Sequence, residues 1–394
     1  MDETKTFEYD AKDLKTIKEG LTKIQFPEFD KVSSEAPVFY NPRMELNRDN
    51  SILALQTFQK YLNRDICICD LFGGSGIRGV RYKKEIEGVD QVTINDISQT
   101  ANEFTALNVE INELEDIEIT QKEANVLLRD SRGKFDVIDI DPFGTPSYFM
   151  DSAAYCARKN SLLCVTATDT SALSGTYNAP CIRKYNAKPY KSEYYHENGI
   201  RILAGFVALT LAKYKKYCDI KLSHSSEHYM RIYIEVKKGS KATDDSLENM
   251  GYVSHCKECG YRKTTKGLAN SLPETCPDCG EKLRHAGPLW LGKIQDAEFI
   301  SEMISEAENK ELNQKKDVLK LLNKCLNEAD GPATFYDVHT VCRMLKISAP
   351  KYESILEELK KEGYCAYPTH FSPLGIKTDA SNKKVKEIIQ RLSP

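Results

Sequence analysis

The chain has 394 residues, a formal net charge of −3, 41% hydrophobic and 29% charged residues, the profile of a soluble globular protein too long for one ordinary core, so two or three domains are expected. No apolar run approaches the roughly 18 residues of a membrane helix, and the acidic, polar start MDETKTFEYD does not read as a secretory signal, so neither a membrane span nor export is expected. Thirteen cysteines, an odd count without such a signal, point to a reduced, cytoplasmic setting and in part to a metal.

In chain order, residues 1–46 read as an extended segment carrying Pro27, Pro37 and Pro42. A helical pattern runs from Asn47 to about Leu62. Short apolar runs then alternate with helical ones. ICICDLF (66–72), QVTINDI (91–97), IEITQKEA (117–124), FDVIDID (135–141) and LLCVTATD (162–169) read as strands. The intervals between them are long enough for crossover helices, which predicts a parallel sheet buried on both faces. A helical pattern covers Glu193 to Tyr217, and IKLSHSSEHYMRIYIEVKK (220–238) alternates with period two, as two strands joined near Ser226. An α/β sheet of this kind, with antiparallel end strands, is a doubly wound, Rossmann-like layout over residues 47–240. The polar stretch 239–251 reads as a linker. A cysteine module follows at 252–285, and 286–394 reads as a small α+β C-terminal domain of winged-helix type, with helical patterns at Ala297–Ala307 and Tyr352–Lys361.

Charge is uneven along the chain. From Cys181 to Lys238 there are 12 Lys and Arg against 5 Asp and Glu, with eight tyrosines among them. Cations among aromatics suit a phosphate backbone and unstacked bases; ordinary tyrosine packing beneath a solvated basic surface is the alternative.

DLFGGSGIRGVRY (70–82) joins a strand to a helix through a glycine-rich turn, in which Gly73, Gly74 and Gly76 permit close backbone approach to a ligand. Gly74, Gly76 and Gly79 also spell GxGxxG, a weak signal that a dinucleotide enzyme would share. Asp96 ends the next strand, where an acid can accept both ribose hydroxyls of an adenosine, or alternatively cap the following helix. The fourth strand separates the two cofactor classes, since it ends in Asp139-Ile140-Asp141-Pro142-Phe143-Gly144. Hydride transfer has no need of an Asp-Pro-aromatic strand end. Methylation of an exocyclic amine does, because that nitrogen's lone pair is delocalised into the ring. A carboxylate can hold the N–H groups, aim the lone pair at a methyl donor and take the released proton, while a flat ring supports the base. This pattern favours an S-adenosylmethionine-dependent amino-methyltransferase over an NAD-dependent oxidoreductase. The cysteines outside the two Cys-x2-Cys pairs, including Cys67, Cys69, Cys164 and Cys181, sit in strands or apolar surroundings and read as core residues rather than nucleophiles.

Cys256-x2-Cys259 and Cys276-x2-Cys279, 16 residues apart, each with a glycine just after the second cysteine (Gly260, Gly280), have the spacing of a four-cysteine zinc ribbon. Four thiolates close a tetrahedral shell, so the zinc is structural and His255 and His285 are bystanders. A disulfide pair is the alternative.

The stretches VFYNPRMELNRD (38–49), DLFGGSGIRGVRY (70–82), NDIS (95–98), DVIDIDPFGTPSYFMDSA (136–153), TATDTSALSGTY (166–177), the cysteine module and THFSPLGIKTDA (369–380) together resemble the tRNA (guanine(26)-N2)-dimethyltransferase family, from about Val38 to the C-terminus. The resemblance implies a class I S-adenosylmethionine-dependent enzyme acting on guanine of tRNA. It implies cofactor contacts from Arg48, Arg78 and Asp96, with Glu123 and Ala124 at the adenine. It implies Asp141 as the catalytic carboxylate, and Phe39 and Phe143 as the rings that sandwich the guanine. The N-terminal segment 1–46 then contributes to the active site, and 286–394 to tRNA binding. A monomer is expected. An amino-methyltransferase acting on another RNA, on DNA or on a protein amide is the alternative, and a zinc-ribbon nucleic-acid adaptor leaves the glycine turn, Asp96 and Asp141 without a purpose.

Overall fold

The structure, a computed structural model, describes residues 14–27, 38 and 40–394. Phe39, one of the two expected base-stacking rings, lies outside the described residues. The chain divides into two compact units, 1–166 with 233–236 and 301–320, and 167–232 with 237–300 and 321–394.

In the first unit, strands β1 (Leu14–Glu19) and β2 (Thr22–Pro27) pair antiparallel as a hairpin. The described part of the expected extended segment is therefore folded. Helix α1 (Glu45–Leu62) leads into β3 (Ile66–Asp70), α2 (Ile77–Glu85), β4 (Val89–Asn95), α3 (Gln99–Ile111), β5 (Ile117–Thr120), α4 (Ala124–Asp130), β6 (Val137–Ile140), α5 (Met150–Cys156) and β7 (Ser161–Ala167). β3 pairs parallel with β4 and β6, β4 with β5, and β6 with β7. Ile66, Ile68, Val92, Ile94, Val137, Ile138, Ile140, Leu162, Leu163 and Val165 are fully buried, as strands covered on both faces must be.

The chain continues through α6 (Thr170–Leu173), α7 (Asn178–Tyr185), α8 (Tyr195–Ala212), β8 (Lys216–Ser226) and β9 (Tyr229–Lys238). The two-residue connection Glu227–His228 makes β8 and β9 an antiparallel hairpin. The seven strands run β5-β4-β3-β6-β7-β9-β8, the order of a doubly wound sheet that begins at its central strand and reverses once. Asp70, Asn95 and Ile140 end β3, β4 and β6 at the carboxyl edge, so the turns after them share one side of the sheet.

The second unit adds α9 (Ser240–Leu247), β10 (Met250–His255), β11 (Arg262–Lys266) and β12 (Arg284–Trp290). α9 occupies the stretch expected to be a linker: it is polar because one face is solvated, with Thr243 buried on the other. β11, β10 and β12 form an antiparallel sheet, the ribbon. α10 (Ala297–Asn309) and α11 (Lys315–Asn327) follow, their residues 301–320 belonging to the first unit, and then, in the second, β13 (Tyr336–Asp337), α12 (Val338–Leu345), α13 (Tyr352–Lys361), β14 (Tyr367–Pro368), β15 (Gly375–Lys377) and α14 (Asn382–Leu392). α12, α13 and α14 pack around Val341, Ile355, Leu359, Val385 and Ile388, beside the sheet β13-β15-β14. No helix among the described residues is long and apolar enough to cross a membrane.

The basic, tyrosine-rich stretch is part surface and part interior: Arg183, Lys188, Lys191, Lys213, Lys215 and Lys238 are exposed. Tyr185, Tyr194, Tyr229 and Tyr233 are at most 1% exposed, and Arg201 and Arg231 are fully buried. Arg201 pairs with Glu197 one turn earlier on α8 and donates to the carbonyls of Trp290 and Gly292. A charge count overlooks this, because a cation with a carboxylate at i−4 can enter the core already neutralised.

Candidate active site and metal centre

The turn between β3 and α2 is shaped by backbone geometry. Gly74 and Gly76 have φ of +56° and +76°, a region that side chains disfavour. A Cβ on Gly73 would come within 2.6 Å of Ile94, and one on Gly79 within 2.5 Å. The turn thus lies tight against β4. Asp96, just beyond β4, accepts from the Gly74 N–H on Oδ2 and from the Ser98 N–H on Oδ1, at 2.9 Å each. Ser98, not Asp96, caps α3 by accepting from Ala101. Each Asp96 oxygen has taken one hydrogen bond, and a carboxylate can take about four, so the ribose role stays open to it.

Glu123 caps α4, accepting from the Val126 N–H at 3.0 Å, and Ala124 opens that helix, 6% exposed. Beside these acids, Ile97 and Val126 are 68% and 50% exposed. Two solvent-facing apolar side chains next to Asp96 and Glu123 suit a flat ring such as adenine. A glycine turn pressed against β4, an acid with free acceptor capacity and exposed apolar side chains beside it fit S-adenosylmethionine.

Arg48, on the first turn of α1, is buried and forks onto Glu19 of β1, with Nε at 2.7 Å, while Nη2 also donates to the Asn41 carbonyl. Glu19 also meets Arg81 at 3.3 Å. Burial pushes the Glu19 carboxyl up, but Arg48 and Arg81 outweigh it and hold it below the usual range. Nη1 of Arg48 has no hydrogen bond among the described residues and remains available to a cofactor carboxylate.

Arg78 gathers the site. Nη1 donates to Asn47 Oδ1 at 3.0 Å and Ser51 Oγ at 3.3 Å, and Nη2 binds the Asp141 carboxylate. Asp141 follows β6 directly; its side chain is 17% exposed against 6% for Arg78. The structure therefore joins two predicted residues, 63 positions apart, in one ion pair. Phe143, two residues on, is 56% exposed.

Two more carboxylates lie here. Asp139 is wholly buried, accepts from the Tyr82 hydroxyl and lies 3.7 Å from Arg78. Asp70, at the end of β3, accepts from the Gly79 N–H at 2.9 Å, while its Oδ1 has no partner among the described residues. Burial, with Asp139 and Asp141 nearby, pushes the Asp70 carboxyl up to about 7 against the pull of Arg78. Asp70 and Asp139 were missed as site residues. The signal was present: Asp139 stands two residues before Asp141 in the same acidic strand end.

In the ribbon, Cys256 and Cys279 Sγ lie 3.5 Å apart, as do Cys259 and Cys276, and the four sulfurs lie within 4.8 Å of one another. A disulfide needs about 2.05 Å, whereas sulfurs each about 2.3 Å from one zinc stand about 3.8 Å apart. The thiols are free and fit a structural zinc. The two knuckles match bond for bond. Cys256 N donates to Tyr261 O and Gly260 N to Cys256 O; Cys276 N donates to Glu281 O and Gly280 N to Cys276 O. Gly260 and Gly280 have φ of +72° and +80°. His255 and His285 bond Tyr194 and Ser254 through Nδ1 and stand outside the cluster.

Cys325, Glu328 and His370 also approach within ligand distance, but Glu328 is taken by His370, Thr369 and the buried Lys377 ammonium 3.6 Å away, an ion-pair network that needs no metal. Cys69 and Cys181 are buried, which pushes their thiols up, Cys181 to about 12, as expected of core residues rather than nucleophiles.

The family profile described as "TRM: N2,N2-dimethylguanosine tRNA methyltransferase" matches residues 20–390. The chain is 72% identical over 380 residues to the tRNA (guanine(26)-N(2))-dimethyltransferase of Methanobrevibacter smithii, covering 96% of this chain and 98% of that one. It is 50% identical to the enzyme of the same name from Methanosphaera stadtmanae, with 96% and 97% covered. Its fold matches the solved structure of Trm1 from Pyrococcus horikoshii with S-adenosyl-L-methionine at a TM-score of 0.87 and 37% identity, over 95% of this chain and 100% of that one. With its doubly wound sheet, glycine-rich turn, Asp-Pro-Phe-Gly strand end and four-cysteine ribbon, the chain belongs to the N2,N2-dimethylguanosine tRNA methyltransferase family.

Proposed function

We propose that this chain transfers one or two methyl groups from S-adenosylmethionine to the exocyclic N2 amine of guanosine 26 in tRNA. The observation that carries the reading is Asp141, partly exposed at the carboxyl edge of the sheet and bonded to Arg78 on the first turn of α2, just after the glycine-rich turn, with an exposed Phe143 beside it. When bound, the cofactor supplies a methyl group on a positively charged sulfur. Arg48 and Arg78 would hold its carboxylate, Asp96 its ribose, Gly73, Gly74 and Gly76 its approach to the backbone, and Glu123 and Ala124 its adenine. Phe39 and Phe143 would hold the guanine ring between them. Asp141 accepts from the amine N–H groups, orients the nitrogen lone pair and takes the proton as the C–N bond forms. The second methylation leaves Asp141 with one N–H fewer to hold.

In the same reading, residues 1–46 contribute to the active site, 47–240 form the methyltransferase domain, 252–285 the zinc ribbon and 286–394 a winged-helix-like tRNA-binding domain, in a cytoplasmic monomer. The test is nucleoside analysis of unmodified tRNA transcripts incubated with the protein and methyl-labelled cofactor. Label in N2-methylguanosine and N2,N2-dimethylguanosine at position 26 is expected. Label on another base, or none with folded, zinc-loaded protein, would overturn the reading.

A further inference from the structure

Phe143 is not the only exposed ring after β6. Tyr148 follows it by five residues and is 67% exposed, on a turn braced from both sides. Thr145, 4% exposed, accepts from the Ser147 N–H at 3.2 Å and bonds the Ser147 hydroxyl at 3.0 Å. Pro146 is buried at the first position of a single helical turn, Pro146–Tyr148, which the Phe149 N–H closes onto the Pro146 carbonyl at 3.0 Å. Beyond it, the Phe149 ring meets Phe72 edge-on at 4.7 Å, and Phe72 precedes the first glycine of the cofactor turn. Met150 is fully buried. The backbone carrying Tyr148 is thus fixed, while its ring and hydroxyl make no ring contact or hydrogen bond among the described residues. Gly144, at φ of +82°, bends the loop between the two rings.

Fixed backbone and an unpartnered aromatic ring are the properties of a stacking platform, because a rigid flat face binds a base without first being ordered. The need for one follows from the reaction. A guanine reaches Asp141 only by leaving its stack, which strips its neighbour of a stacking partner. Phe143 is committed to the guanine that has left. We propose that Tyr148 stacks on the RNA base flanking the target guanosine and takes the place the guanine vacates, lowering the cost of extruding it. This rests on the reading of the chain as a tRNA guanine methyltransferase and adds a substrate-contacting residue to it. The ring, not the hydroxyl, carries the role.

The experiment uses the full-length, zinc-loaded protein and two tRNA transcripts. In one the target guanosine faces cytosine in a Watson–Crick pair; in the other it faces adenine, where extrusion already costs less. Single-turnover methyl transfer by Tyr148→Ala should fall about 10-fold or more on the paired transcript, the scale of one lost base–aromatic stack, and much less on the mismatched one. Tyr148→Phe and Tyr148→Trp should restore the rate, and affinity for the methyl donor should not change. An unchanged rate on the paired transcript would overturn the proposal. So would an equal loss on both transcripts, which would assign Tyr148 to general RNA affinity. If the wild-type protein methylates guanine N2 in neither transcript, the functional reading itself fails and the proposal falls with it. The wild-type control keeps the two failures apart.

Discussion

The cofactor edge and the zinc ribbon satisfy their charged and reactive groups in opposite ways. At the edge the chain supplies both signs: Arg78 meets Asp141, with Asp139 and Asp70 behind it, and Arg48 meets Glu19. In the ribbon, four thiols face one another within 4.8 Å. The edge neutralises its charges with its own side chains, whereas the ribbon's thiolates need a metal to share. A carboxylate site of the first kind can be tuned by protonation, whereas a thiolate site is close to all-or-none.

The largest effect should therefore come from the ribbon. A structural zinc is worth on the order of 10 kcal/mol of folding free energy. Cys259→Ser should release one zinc per chain and unfold the knuckle. The damage should spread to α14, because the Cys259 carbonyl accepts from Asn382 at 3.0 Å and from Lys386 at 2.6 Å. Metal analysis, circular dichroism and tRNA-binding assays should report those losses while calorimetry finds cofactor binding intact. Protein purified without chelator and containing no zinc would break the comparison at its root.

Next is Asp70, where the edge should respond to pH. The folded carboxyl keeps its proton up to about 7, against a reference value of 3.8. The native state therefore binds more protons than the unfolded chain across that window. Stability falls as pH rises from about 4 to about 7 and then levels. Asp70→Asn can still accept from Gly79 and should abolish the slope, gaining up to about 4 kcal/mol at pH 8 and nothing near pH 4. Denaturant melts at several pH values check this, and parallel pH profiles for the two proteins would remove Asp70 as the titrating group.

Asp141 sharpens the catalytic side. Asp141→Asn keeps shape and some hydrogen bonding but loses the charge and the proton acceptor. Turnover should fall roughly 10²-fold or more, with cofactor and tRNA affinity nearly unchanged. Because the second transfer offers one N–H fewer, residual product should be enriched in monomethylguanosine. A wild-type rate and product ratio, measured by single-turnover assay and nucleoside mass analysis, would rule out the assignment.

The two regions also differ in how much of them could be read in advance. The ribbon was legible down to its four clustered cysteines, because C-x2-C spacing and the following glycine encode a local knuckle. The sheet was legible from the apolar runs between its crossovers. The Arg78–Asp141 pair was not, since its partners stand 63 residues apart and only the parallel register of β3 and β6, with Asp70 opposite Asp139, brings their turns together. The raised Asp70 was invisible for the same reason: burial and like charge are properties of the folded state. The burial of Arg201 within the basic stretch could not be read from a charge count, because Glu197 one turn earlier on α8 neutralises it. Helix α9 was passed over because a short helix with one buried residue scarcely differs from a polar linker.

The smallest expected effect lies at Asp96, where two roles compete. Its carboxylate already anchors the turn through Gly74 and Ser98, so a role confined to the backbone would also account for its presence. Affinity and stability separate the two. Asp96→Ala removes both the anchor and any ribose acceptor, and should weaken S-adenosylmethionine binding about tenfold or more, the loss of a charge-assisted hydrogen bond worth roughly 1.5–3 kcal/mol. Asp96→Asn keeps an oxygen that can serve one of the two backbone groups but cannot accept at both ends. If the ribose is held, Asp96→Asn should lose affinity for the cofactor by a similar factor while its melting temperature stays closer to that of wild type. If the residue is only an anchor, affinity and melting temperature should fall together across the two variants. Calorimetric titration with S-adenosylmethionine beside a thermal melt of each variant decides it, and an unchanged affinity in folded Asp96→Ala would remove this residue from the cofactor site.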